Sequence, residues 1–208
     1  MTNLPPSGSH NPASLRHGCV IMASGSATRF GSNKLLATLG GKPLVQHVIE
    51  TTDGLFDKRV VVTRRPEVAR LCRELGVNVI VHDEPARNDT VRLGMQAFGD
   101  CDTVTFFQAD QPLIGSASIA GLLQAAQSDP NSIWRASHGG MSGAPVLFPA
   151  WAFDELRHLP AGKGGGFVAK THAERVRTVE VQDAWELFDV DTVNDLQALQ
   201  QHLDALGK

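Results

Sequence analysis

Arg29 and Lys34 stand five residues apart in "MASGSATRFGSNKLL" (22–36), a loop otherwise rich in small residues. Small side chains let backbone N–H groups approach a ligand, and two cations beside them point to an anionic one. The run Cys19-Val20-Ile21-Met22 that leads into the loop is apolar and short enough for a buried strand. Two further polar clusters follow in the chain: Asp110, just past the apolar "VTFFQA", and the pair Asp189 and Asp191 in "DVDT". Ligands of open parallel sheets bind at the carboxyl ends of the strands, where all three clusters fall. A triphosphate wrapped by the first loop, with carboxylates arriving from two distant segments, suggests a Mg²⁺ site, because Mg²⁺ takes one or two carboxylates together with phosphate oxygens.

Each cluster also has a plainer reading. The loop could be a basic surface loop, and Asp110 before Gln111-Pro112 could be a turn former. One of Asp189 and Asp191 could cap the terminal helix. The loop contains neither GxxxxGK[ST] nor GxGxxG, so a Walker-type or dinucleotide site has no support. The conjunction of the three clusters, rather than any one, argues for nucleotide chemistry.

The elements that must position these residues alternate. Strands are expected at "CVIMAS", "KRVVVTR", "VNVIVHD" and "DTVTFFQAD". Between and after them come helices at "PLVQHVIETT", with Pro43 in its first turn, "PEVARLCRELG", "NDTVRLGMQAF", capped by Asn88 or Asp89, and "SASIAGLLQAAQSD". This alternation predicts an α/β fold, a Rossmann-like, mostly parallel sheet flanked by helices on both faces. The regularity breaks after Pro130. "SIWRAS", "APVLF" and "VRTVEV" read as strands among the glycine-rich loops "SHGGMSG" and "PAGKGGG", with a helix at "PAWAFDELRHL" and a terminal helix at "VNDLQALQQHLDAL".

With 208 residues, 42% of them hydrophobic, the chain has the size of one domain with a full core. Residues 1–18, rich in Pro, Ser, Asn and Gly, read as a disordered leader, and 19–208 as the folded domain. A formal net charge of −3 argues against a general nucleic-acid binder, and the apolar runs are too short to cross a bilayer. The three cysteines form no CxxC or zinc-like spacing and read as buried free thiols, which fits a reducing, cytoplasmic setting. The eight histidines form no HxxxH, and His47 reads as packed or surface-exposed rather than catalytic.

The segment "MASGSATRFGSNKLLATLGGKPLVQHVI" resembles the signature loop of the nucleotidyltransferases of molybdenum cofactor biosynthesis, LAAGxSxRFGxxKLLxxLxGKPLL in general form. "FFQADQPLI", "GAPVLF" and "ELFDVDTVND" resemble further segments of that family, in the same order, so that the resemblance spans residues 19–196. The branch most resembled is the molybdenum cofactor cytidylyltransferases, which join CMP from CTP to the phosphate of molybdopterin and release pyrophosphate. The resemblance implies that backbone groups of Ala23, Ser24, Gly25 and Ser26 contact the nucleotide. Arg29 and Lys34 would bind the triphosphate and act in catalysis. Asp110 would hold Mg²⁺ with Asp191, or, as second choice, Asp189. Arg87 and Thr90, in "ARNDTVRLGM", are implied base contacts, though a plain helix start explains them equally. A molybdoenzyme would receive the product. Departures include Ser24 and Ala27, and Gly162, which takes the place of a family aspartate in "PAGKGGG". A guanylyltransferase on the same pterin is the nearest alternative, against which "MASG" stands where that branch has LAGG. A non-catalytic carrier of nucleotide or cofactor is the alternative from another class.

Overall fold

The computed structural model describes residues 14–25, 30 and 33–207. The first strand, β1, runs His17–Ala23 and is followed, past a 3₁₀ turn at Lys34–Leu36, by a two-residue ladder of β2 (Thr38–Leu39) and β3 (Lys42–Pro43). Then come α1 (Leu44–Thr51), β4 (Lys58–Thr63), α2 (Pro66–Glu74), β5 (Asn78–Val81), α3 (Arg87–Met95), β6 (Thr103–Gln108) and α4 (Ser116–Ser128). The second half contains β7 (Ile133–His138), β8 (Met141–Pro149), α5 (Phe153–Arg157), α6 (Gly165–Thr171), β9 (Val176–Glu180) and α7 (Val193–Ala205).

Seven strands form one sheet in the order β5-β4-β1-β6-β8-β7-β9. β5, β4, β1 and β6 are parallel, as strands joined by crossover helices must be, while β8 runs antiparallel to both β6 and β7. The expected mostly parallel, helix-flanked sheet is therefore present. β1 lies inside the sheet, between β4 and β6, and is apolar on both faces. Cys19, Ile21 and Ala23 point to the layer that includes Val45, Val48, Val68, Cys72 and Ile119 of α1, α2 and α4. Val20 points to the opposite layer, with Val91, Met95, Phe153, Leu156 and Val168 of α3, α5 and α6. Phe98, Phe107 and Phe148 are fully enclosed, each burial stabilising the fold by roughly 1.5–3 kcal/mol.

All three cysteines are buried and free, as expected. Burial pushes the Cys72 thiol up to about 11 and that of Cys19 higher still, which makes both inert. His47 packs through Nε2 on the Leu39 carbonyl, 2.9 Å away.

Several local expectations are corrected. β1 begins at His17, so its first two residues belong to the sheet rather than to a leader; residues 1–13 lie outside the described part. Pro43 precedes α1 instead of occupying its first turn. Neither Asn88 nor Asp89 caps α3, which starts one residue earlier with Ala86 as its cap; Asp89 reaches back to accept the Ala86 N–H at 3.2 Å. The helix expected at "PAWAFDELRHL" is a 3₁₀ turn followed by the short α5. The glycine-rich "PAGKGGG" is a loop only at its start, because Gly165 already opens α6. Gly162 sits at φ +73°, a conformation glycine adopts freely, and donates its N–H to Asn88 Oδ1 at 2.9 Å. The residue that departs from the resembled family is thus explained by its turn.

Candidate active site

The 3₁₀ turn that carries Lys34 is fixed from both ends. Asn33 accepts the Leu35 N–H through its side chain, and its amide donates to Glu67 at 2.8 Å. Leu35 is buried in the α1/α2 layer. Lys34 is itself only 7% exposed, so its ammonium must find partners within the protein.

Those partners come from the two distant acidic clusters. Lys34 Nζ donates to Asp110 Oδ2 at 2.7 Å and to Asp191 Oδ1 at 2.9 Å. Asp110 follows β6, whose pairing with β1 is extended by the Ala109 N–H on the Met22 carbonyl at 3.1 Å. Asp191 is brought alongside by the backbone: Val190 donates its N–H to the Asp110 carbonyl at 2.9 Å. Val190 is fully buried with Leu39, Leu44 and Leu199. Asp191 is held further by its N–H on Asp195 Oδ2, 3.0 Å away. The cap of α7 is Thr192, which forms a reciprocal capping box with Asp195, so neither Asp189 nor Asp191 serves as the cap.

Charge is balanced accordingly. Burial alone would lower the Lys34 ammonium, but its hydrogen bonds and charge attraction to Asp110 and Asp191 outweigh this and raise it. Asp189 shares neither of the Lys34 hydrogen bonds, although the charge of the ammonium reaches it. Crowding out of solvent and, after it, the negative charge of Asp110 push its carboxyl up to about 6, against the favourable pull of Gln111 and Lys34. Among the described residues, no three His, Cys, Asp or Glu side chains are grouped as a metal cage. The Lys34 partners nevertheless bring two hard carboxylate oxygens onto one cation, the donor chemistry that Mg²⁺ accepts when phosphate oxygens and water complete its shell.

These side chains line a cleft of 340 Å³ at the carboxyl ends of β1, β4 and β6. Ser24, Gly25, Lys34, Thr90, Asp110 and Asp191 all face it, so six of the residues singled out in the sequence converge. Ala23 does not: it is buried, and its carbonyl accepts the Thr63 hydroxyl at 2.9 Å. Ser24 uses its hydroxyl on the Val62 carbonyl and on His82 Nε2. Asp189 lines a neighbouring cavity instead. Ser26 and Arg29 lie outside the described residues, as does the side chain of Arg87, the first residue of α3.

The cleft contains two groups that the sequence did not single out. Arg64, just beyond β4, lines it with a buried Nε that has no hydrogen-bond partner among the described residues. Gln108, the last residue of β6, faces it as well. The signal for Arg64 was available, since a strand-end cation at the same edge as the first loop is placed as Lys34 is. In the sequence it stands as the last residue of the expected strand "KRVVVTR".

Residues 19–177 match the model of a family described as the MobA-like NTP transferase domain. The chain belongs to this family. A 3-deoxy-manno-octulosonate cytidylyltransferase from Trichlorobacter lovleyi is 36% identical over 103 residues, covering 48% of this chain. The matched part is 40% of that enzyme, so the chain aligns with well under two thirds of this curated relative. Among solved structures, Rv0371c from Mycobacterium tuberculosis superposes with a TM-score of 0.78 at 21% identity, covering 90% of this chain and 98% of that one. CMP:2-keto-3-deoxy-manno-octonic acid synthetase complexed with CTP superposes with a TM-score of 0.77 at 18% identity, covering 92% and 99%. At such identities these structures establish the shared fold. Among the described residues, no helix is long and apolar enough to cross a membrane.

Proposed function

We propose that the protein is a Mg²⁺-dependent nucleotidyltransferase that transfers CMP from CTP to the phosphate of a molybdopterin-type acceptor and releases pyrophosphate. The observation that carries this reading is the convergence of Lys34, Asp110 and Asp191 from three distant segments on one cleft at the strand ends. Membership of the MobA-like NTP transferase family and similarity to a cytidylyltransferase favour nucleotidyl transfer and CTP. The pterin acceptor rests on the resemblance of residues 19–196 to the molybdenum cofactor branch.

In this reading Ser24 and Gly25, with Ala23 and Ser26 beside them, border the nucleotide, while Thr90 and Arg87 approach the base. An ammonium has three donors, and Lys34 spends two on carboxylates, which leaves one for a phosphate oxygen. Arg29 adds a second cation to the triphosphate. Asp110 and Asp191 are the residues that would hold Mg²⁺, which supplies charge neutralisation at the phosphates when bound. An acceptor phosphate oxygen forms a bond to the α-phosphorus as the α–β bridging bond breaks, and the electron pair leaves with pyrophosphate. The nucleophile is already anionic at neutral pH, so the protein must position and neutralise rather than remove a proton.

The test is pyrophosphate release from purified protein with Mg²⁺, molybdopterin and each of CTP, GTP, ATP and UTP, beside Arg29→Ala and Asp110→Ala. Release with CTP that both substitutions abolish is the expected result. Release with GTP alone would make the protein a guanylyltransferase, and tight CTP binding without release would make it a carrier.

A further inference from the structure

A second cavity, of 250 Å³, opens beside the nucleotide cleft and shares Met22 and Gln108 with it. It lies against one face of the sheet. Met22 of β1, Phe106 and Gln108 of β6 and Val146 and Phe148 of β8 contribute alternate, same-face side chains, and residues Gly164–Gly166 at the start of α6 close it from above. Phe106 and Phe148 meet edge to face, with ring centroids 5.9 Å apart, and form an apolar wall.

One charged side chain lines this cavity: Arg135 of β7. It is a poor fit to its protein surroundings. Among the described residues its enclosed Nε has no hydrogen-bond partner, and its Nη2 reaches only the Ser142 carbonyl at 3.4 Å. It forms no ion pair with any described carboxylate. The half-buried guanidinium thus keeps one enclosed donor unsatisfied, which folded proteins avoid unless another molecule supplies the acceptor. A guanidinium matches a phosphate or carboxylate through paired N–H donors.

We infer that this cavity is the acceptor subsite and that Arg135 binds the acceptor's phosphomonoester. The inference rests on the nucleotidyltransferase reading and adds to it where the second substrate lies and which residue selects it. The acceptor's flat organic body packs on Phe106 and Phe148, and Arg135 neutralises the phosphate whose oxygen must pass Gln108 to reach the α-phosphorus. This arrangement selects for anionic acceptors and against neutral alcohols, because a neutral group would leave the guanidinium uncompensated.

The test uses phenyl phosphate, an aromatic phosphomonoester, titrated calorimetrically into CTP-saturated wild-type protein, Arg135→Gln and Arg135→Lys. CTP titrations and thermal melts of the same proteins control for the nucleotide site and for folding. Arg135→Gln is expected to weaken phenyl phosphate binding about tenfold or more, consistent with loss of charge-assisted hydrogen bonds, with CTP affinity and melting temperature nearly unchanged. Arg135→Lys should restore part of the loss, since it keeps charge without the fork. Equal phenyl phosphate binding by wild type and Arg135→Gln, or a parallel loss of CTP affinity, would overturn the assignment. Molybdopterin turnover is read separately. Arg135-dependent phosphate binding without pterin turnover supports the subsite and removes only the pterin as acceptor.

Discussion

Replacing Lys34 with Met removes the ammonium but keeps an unbranched stem of similar length in the pocket, so the effect isolates charge. Asp110 and Asp191 would then lose the ammonium they share, with the carboxylate of Asp189 nearby. Stripping one partner from a fully buried ion pair costs about 3–5 kcal/mol. Here the carboxylate side chains keep 21% and 45% of their exposure, so solvent screens the loss and about 1–3 kcal/mol is expected. For a chain of this size that corresponds to a fall in melting temperature of roughly 2–12 °C. The pH profile adds a signature. The Lys34 pKa is raised above its ordinary 10.5, so its contribution is complete below that value and fades as pH rises through the folded pKa. The gap between wild type and Lys34→Met should therefore hold constant from neutral pH to about pH 9 and begin to close only in strong alkali. Pyrophosphate release with CTP should fall by about 10²–10³, the cost of losing one positive group aimed at developing phosphate charge. Thermal melts across pH, beside the release assay, provide the check. A variant as stable as wild type with unchanged turnover would mean that the ammonium neither holds the two carboxylates nor meets the triphosphate.

Asp189 titrates in the opposite sense to a paired carboxylate. Its folded pKa of about 6 lies above its ordinary 3.8, so the fold loses stability as pH rises through that interval. Asp189→Asn should melt like wild type near pH 4 and above it at pH 7.5; a gap that does not grow with pH would refute the assignment. Gly94→Ala would set a Cβ 2.8 Å from Val20 Cγ1 and 3.1 Å from Cγ2, a stiff side chain locked in β1. Overpacking of about 1–3 kcal/mol should exceed the gain of roughly 1 kcal/mol in helix propensity, giving a lower urea midpoint, and a higher one would show that α3 can shift away without loss. Thr192→Ala removes the side-chain cap of α7 and should cost about 1 kcal/mol in chemical denaturation. Thr192→Ser should recover most of it, and no difference between the two would deny the capping box its role.

The sequence by itself determined the elements whose signals are local. Alternating strands and helices in the first half, the apolar β1, the free buried cysteines and the polar clusters at strand ends all follow from periodicity and residue type over a few positions. The one-residue errors at Pro43 and at the start of α3 are of the same local kind, because a cap depends on which backbone N–H turns inward and not on composition. The glycine-rich start of α6 defied its propensity, since the helix is held there by burial of Val168 and Ala169 in a layer the local sequence does not describe. Only the tertiary structure decided between Asp189 and Asp191 as the partner of Lys34. They are two residues apart and equally acidic, but Asp191 reaches Lys34 while Asp189 lines the next cavity. Val190 settles that choice by burying its side chain and giving its N–H to Asp110. Arg135 was likewise illegible in sequence, and Arg64 was legible only as a cation at a strand end. What distinguishes them is an enclosed Nε without a partner among the described residues, a property of the packed surroundings that no run of neighbouring residues encodes.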